Sequence, residues 1–419
     1  MHPHREGIME FRKTTLSNGM AIVGEINPAA QSAAVGFFVR TGSRDETPQI
    51  NGVSHFLEHM LFKGNDRLSA LEVNEAFDRT GAKFNAFTSE ENTVYYAAVL
   101  PRFLAEVTEL WTELLRPALR QSDFDMEKNV ILEEIAMYKD TPHFDVMDKC
   151  RALHFGDHPC GASVLGTNES IIGLTSEAMR GYFDLRYSPN NIVAACCGNL
   201  DFEATCELIE RQCGDWKATE AARPLSYFGG TFQKHREERA NLVREHICMM
   251  SAGMGMQDQR RFAMSLLATI VGDDTGSLYF WELVDPAIAE TAVMQAEAMD
   301  GVGAMYSYIR CSPKDAPRAG EIVRHIFEDL ASTGITQAEL ETARNKVLSA
   351  LTIKSEQPMG RLVNLGFNWV YSREYRSVAD DIASIRAITV DDVNSLIGEF
   401  DLRSFTSYSI APEDAAAAT

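Results

Sequence analysis

The chain has 419 residues, with 39 Lys and Arg against 60 Asp and Glu, and a formal net charge of −21. That length exceeds what one hydrophobic core usually supports and predicts at least two domains. A composition of 45% hydrophobic and 24% charged residues excludes a disordered or fibrous chain. The acidic excess argues against nucleic acid as a partner, because phosphate backbones require clustered Lys and Arg.

No run of 18 uncharged apolar residues occurs, so no membrane span is expected. The opening MHPHREGIMEFRKTT has no apolar targeting core, and a cytoplasmic location is the default expectation. AIVGEI and SAAVGFFVRTG then read as strands, apolar and β-branched, with a turn signal closing the second. Ser69 precedes ALEVNEAF as a helix cap, and NTVYYAAVL is a third strand. A long helical pattern runs through FLAEVTELWTELLRPAL, and NIVAACCGNL reads as a buried strand. Residues 217–235 contain Pro, Gly-Gly and no clean period, which marks a linker between 1–216 and 236–419. Beyond it HICMMSAGMG and AMYSYIRCS read as strands, and Thr389 caps VDDVNSLI. Strands grouped with helices, rather than strictly alternating, predict an α+β fold, each domain a mainly antiparallel sheet with helices on one face. Eight scattered Cys without C-x-x-C spacing read as reduced core thiols.

The two halves echo one another. Asn129, Ile131 and Leu132 fall on Asn345, Val347 and Leu348 at an offset of 216, and SIIGLTSEAM from Ser170 matches SIRAITVDDV from Ser384 at 214. Two matches at nearly one offset predict two copies of one domain.

The sharpest motif is His55-Phe-Leu-Glu-His59. On a helix, residues four apart share a face within reach of one metal ion. Glu58 projects near that face without needing to be a ligand, and the pattern is H-x-x-E-H. Zinc suits two imidazoles plus one further protein ligand and water. The alternative is two unrelated helix histidines, but Lys63 and Gly64 end the helix as a C-terminus prefers, and unpaired imidazoles on an apolar segment are costly. A third ligand is sought on VILEEIAMY, where Glu133 and Glu134 are both open, with Glu127 two turns before Glu134. Either carboxylate could instead lie on a solvated face. In the second copy Glu134 falls on Ala350, and FAMSLLATIVGDD carries no H-x-x-E-H.

LSNGMAIV, GVSHFLEHMLFKG, GAKFNAFTSEENTVYYAAVL, EKNVILEEI, HPCGASVLGTNESI and YSPNNIVAACCGN together resemble, in family order, the pitrilysin-type inverzincin metallopeptidases of the mitochondrial processing peptidase branch. The resemblance implies zinc ligands His55, His59 and Glu134, Glu58 as general base and Glu127 as its supporting carboxylate. It implies an extended peptide lying along a strand at Phe84–Thr88, with Asn85, Ala86 and Phe87 offering contacts. Self-sufficient members bring an Arg and a Tyr, seven residues apart, from the second half. Here Val284 and Thr291 stand at those positions, which implies a homologous partner subunit that supplies the pair. A homodimer using Tyr306, Tyr308 or Arg310, and a non-catalytic core-type subunit of a larger complex, are the alternatives. Acidic walls would favour basic peptides.

Overall fold

The computed structural model describes residues 9–413. The first copy runs β1 (Glu10–Thr15), β2 (Ala21–Ile26), β3 (Ala33–Val39), α1 (Val53–Leu61), α2 (Ala70–Thr80), β4 (Lys83–Thr88), β5 (Thr93–Val99), α3 (Leu104–Leu114), α4 (Gln121–Lys139), α5 (Pro142–Phe155), α6 (Asn168–Gly173), α7 (Ser176–Arg186), β6 (Ile192–Gly198) and α8 (Phe202–Cys213). The second runs β7 (Lys234–Arg239), β8 (Glu245–Gly253), α9 (Arg261–Gly272), β9 (Ala289–Ala298), β10 (Gly303–Cys311), α10 (Ala316–Thr333), α11 (Gln337–Ser355), α12 (Pro358–Ser372), α13 (Val378–Ala387), α14 (Val390–Glu399) and β11 (Phe405–Pro412). Ser69 and Thr389 cap α2 and α14 through capping boxes with Glu72 and Asp392.

The duplication is written in the topology. The first sheet has the order β1-β2-β6-β3-β5-β4, and the second β7-β11-β8-β10-β9. Neighbours are antiparallel except β2 with β6 and β7 with β11, so the second sheet repeats the first without β1. Helices α4 and α11 have 19 residues each and start 216 positions apart. On this match β4 and β9 are equivalent edge strands, and α1 and α9 equivalent helices.

The chain forms two compact units that are not contiguous in sequence. One takes the chain up to Ile135, Ala162–Arg223 and Thr352–Val378; the other takes Ala136–Gly161, Pro224–Leu351 and the chain from Ala379. This division differs from 1–216 and 236–419, because α5 and α12 each complete the unit built on the other copy's sheet. The reason is that both sheets are apolar on both faces. In the first unit Val35 and Phe37 face the large core, while Ala34 and Phe38 face Leu362, Leu365, Trp369 and Val370 of α12. A bidentate pair between Arg361 and Glu25 (2.8 and 2.5 Å) pins that helix to β2. In the second unit Cys248, Met250, Tyr308 and Ile410 pack against Val146 and Cys150 of α5. Each sheet thus carries one helix on the face that the sequence leaves bare, in addition to those packed on the expected face. None of the eight cysteines forms a disulfide, and only Cys206 is not buried.

Candidate metal centre

Helix α1 turns Val53, Phe56, Leu57, Met60 and Leu61 into the large core of its unit and carries Ser54, His55, Glu58 and His59 on the opposite face. Phe56 stacks on Phe124 of α4 (4.9 Å, 9° between planes), which fixes the two helices face to face. The entry to α1 needs Gly52, at φ +92°, where a Cβ would meet the Leu165 carbonyl oxygen at 2.6 Å. Glu46 closes the orphan amides there. Its Oε2 accepts from Gly52 N (2.6 Å) and Asn51 Nδ2 (2.9 Å), and its Oε1 from Ser54 N (2.7 Å). Burial nevertheless pushes this carboxyl up to about 6, against those hydrogen bonds.

His55 and His59 lie one turn apart with ring centroids 4.7 Å apart. Glu134 Oε2 stands 3.8 Å from His55 Nε2 and 3.5 Å from His59 Nε2. One donor atom from each of the three falls within 4.8 Å of the others. Ligands bound tetrahedrally at about 2.1 Å are about 3.4 Å apart, so the set is close to the spacing zinc requires. Glu133 is exposed, so of the two candidate carboxylates it is Glu134 that meets the histidines.

The outer ring of hydrogen bonds orients this set. Glu127, buried on α4, accepts from His59 Nδ1 (2.8 Å) and pairs with Lys63 Nζ (2.5 Å), which leaves His59 Nε2 facing Glu134. Burial, then the field of His59, pulls the His55 pKa down to about 3, so that this imidazole is neutral, as a ligand must be. Burial also opposes charge on His59, but the Glu127 hydrogen bond and the surrounding carboxylates outweigh it and raise its pKa. Burial raises Glu58 and Glu134 above the ordinary carboxylate range. Lys63 pairs with Glu127, and a dication would balance the charge that Glu58 and Glu134 carry when ionised.

Strand β4 ends its sheet, with β5 on one side. Asn85, Ala86 and Phe87 lie on it, and Ala86 N donates to the Asn85 side-chain Oδ1 at 2.9 Å. By strand parity Phe84 and Ala86 turn into the core beneath α1, whereas the Phe87 ring turns to the opposite face, 6.3 Å from Phe367. Three supporting residues escape the motif reading: Lys63, Glu46 and Thr88, whose Oγ1 donates to Glu58 Oε2 at 2.6 Å. Parity along β4 carried a signal for Thr88; nothing local marked Glu46.

Val284 packs against the core of the second unit, and Thr291 sits on edge strand β9 opposite Arg310. Tyr308 Oη is 2.9 Å from His246 Nδ1, Arg310 Nε is 3.2 Å from Glu290, and Tyr306 Oη donates to Gln295 (2.6 Å).

The sequence matches the family description "Insulinase (Peptidase family M16)" over residues 21–168 and "Peptidase M16 inactive domain" over 173–347. A protein named as an uncharacterized zinc protease in Mycobacterium tuberculosis is 31% identical over 96% of this chain and 93% of its own length. Another so named in Streptomyces coelicolor is 33% identical over 93% and 87%. Among solved structures, a Helicobacter pylori protease matches with a TM-score of 0.88 at 22% identity, covering 97% of this chain and 100% of that one. A chain of complex III2 from Candida albicans matches at 0.82 with 19% identity, over 96% and 95%. The chain belongs to the M16 (insulinase) peptidase family, with the zinc-type motif in its first copy and the inactive-type domain in its second. Among the described residues no helix is long and apolar enough to cross a membrane.

Proposed function

We propose that this protein is the catalytic subunit of a zinc-dependent endopeptidase that cleaves extended peptides. The observation that carries the reading is the convergence of His55, His59 and Glu134 beside Glu58, on helices locked together by core packing. His55, His59 and Glu134 would hold the zinc. A bound zinc ion would acidify water and polarise the scissile carbonyl. Glu58 takes the proton from the attacking water and returns it to the leaving amine. Glu127 holds the His59 ring in one tautomer. The peptide adds to the free edge of β4, where the backbone of Asn85, Ala86 and Phe87 pairs with it and the Asn85 side chain gives up Ala86 N.

Val284 and Thr291 can supply neither a guanidinium nor a phenol, so a homologous partner subunit provides the Arg and Tyr that bind substrate and oxyanion. A homodimer using Tyr306, Tyr308 or Arg310 is the competing arrangement. The enzyme acts in the cytoplasm on this reading. Likeness to a complex III2 chain supports a second reading, a non-catalytic core-type subunit; the complete ligand set favours the enzyme. Zinc content and fluorogenic-peptide cleavage, by the chain alone and with its co-purified homologue, test all three. One zinc per chain and cleavage roughly 100- to 1,000-fold faster with the homologue are expected. Full activity of the chain alone would remove the partner, and absence of zinc would leave the scaffold.

A further inference from the structure

Thr88 is the last residue of β4, and its side chain shares a face with Phe84 and Ala86. Phe84 stacks on Phe77 of α2 at 3.9 Å and 13°, which anchors that face of the strand against α2. The Thr88 hydroxyl donates to Glu58 Oε2 at 2.6 Å, the short distance of a bond to a carboxylate. Its strand partner Thr93 is itself tied, donating to the Thr41 carbonyl at 3.0 Å. The turn that follows is closed by Ser89 N to Asn92 O (2.8 Å) and Asn92 N to Ser89 Oγ (3.1 Å). Behind the turn, Glu91 is buried and paired with Arg44 at 2.6 Å. A β-branched residue with a restricted χ1, on a hairpin fixed at both strands and at the turn, has little freedom to move its hydroxyl.

We propose that Thr88 is a positioning residue for the peptidase reaction, one that fixes the rotation of the Glu58 carboxylate from the substrate-binding strand. This rests on the reading of Glu58 as general base. With Oε2 engaged by Thr88, Oε1 is the oxygen left to carry the proton between water and leaving amine. The same strand that pairs with the peptide therefore also aims the base, so peptide and base are registered to one backbone.

Thr88→Val keeps the shape and removes the donor; Thr88→Ser keeps the donor. In the zinc-loaded protein, with its homologous subunit where one co-purifies, Thr88→Val is expected to lower kcat about 10- to 100-fold, the range of a lost hydrogen bond to a charged group. KM, zinc content and melting temperature stay unchanged, and Thr88→Ser recovers most of the loss. A crystal structure of Thr88→Val is expected to show the Glu58 carboxylate rotated or in two conformers, a readout independent of turnover. In a Glu58→Gln background Thr88→Val adds no further loss. Normal kcat in Thr88→Val beside an inactive Glu58→Gln, an unmoved carboxylate, a loss shared equally by Thr88→Ser, or a loss accompanied by lost zinc would overturn the role of Thr88 alone. Full turnover in Glu58→Gln would overturn the reading of Glu58 as general base and the role of Thr88 with it.

Discussion

Helices α4 and α11 occupy the same place in the two copies, are equally long, and differ in what they carry. Glu127 and Glu134 on α4 become Ala343 and Ala350 on α11, and α9 has no counterpart to the histidines of α1. The pattern of strands, edge and parallel pair is retained in both. The frame is therefore independent of the ligands: sheet and helix stripes are fixed by apolar burial, and the polar set is added to one copy only. In the first copy two carboxylates sit at a core-facing helix surface against imidazoles, an arrangement that needs a cation. In the second, a cavity of about 210 Å³ lies between α9 and α11, lined by Ala343, Trp281 and Lys346, the last paired with Asp273 at 2.5 Å. The second copy thus has a space and a local ion pair beside the helix that corresponds to α4, on the same frame.

The strongest test of this contrast is Glu58→Gln, which keeps the frame and His55, His59 and Glu134 of the first copy and removes the proposed base. Turnover is expected to fall by roughly 100- to 10,000-fold with zinc content unchanged, read by peptide cleavage and metal analysis. Retained turnover would place the base elsewhere.

The reverse experiment returns a carboxylate to the second copy. Ala343 is 2% exposed, so Ala343→Glu buries a charge with no imidazole beside it, and the nearby Lys346 ammonium is already engaged by Asp273. A loss of about 3–5 kcal/mol in urea unfolding is expected, the range for an unpaired buried charge. Ala350 is exposed, and Ala350→Glu should change stability by no more than about 0.5 kcal/mol. Equal effects at the two positions would mean that α11 does not face its core as α4 does.

A milder test is Glu127→Gln, which leaves the three ligands and loosens the His59 ring. Zinc affinity measured by chelator competition is expected to weaken about 10- to 100-fold. The same substitution at exposed Glu133 should leave it unchanged.

The strands, the capped helices and the repeat were legible because each depends on local periodicity or a short cap, as Ser69 and Thr389 illustrate. His55, His59 and Glu58 were legible because helix spacing alone brings them together. Glu134 could not be separated from Glu133 by spacing, since both sit on one helical stretch and only the approach of α1 through Phe56 and Phe124 decides between them. The exchange of α5 and α12 was hidden for the same reason. An all-buried strand such as β3 announces two covered faces, but not which helix covers the second. Glu46 was invisible because its partners are backbone amides whose positions exist only after α1 has formed.

A further contrast concerns how the two equivalent helices begin, where α1 and α9 again differ. Glu46 is enclosed against the amides that open α1, whereas Asp258, before α9, accepts from Arg260 N at 2.9 Å and pairs with the Arg260 guanidinium at the surface. The signs of their linkage to pH are opposite. Burial raises Glu46 from 4.5 to about 6, so the folded state binds more protons than the unfolded one between those values. Its contribution is most favourable below about pH 4.5 and is lost as pH rises to about 6, by about 2 kcal/mol. The Arg260 hydrogen bond lowers Asp258, whose contribution is present at neutral pH and is lost as pH falls through its folded pKa. Unfolding followed from pH 4.5 to 7 should therefore show a downward component that Glu46→Gln removes and Asp258→Asn does not. If Glu46→Gln leaves the profile unchanged, the carboxylate at the head of the metal-site helix is solvated rather than enclosed, and the two helix starts are alike.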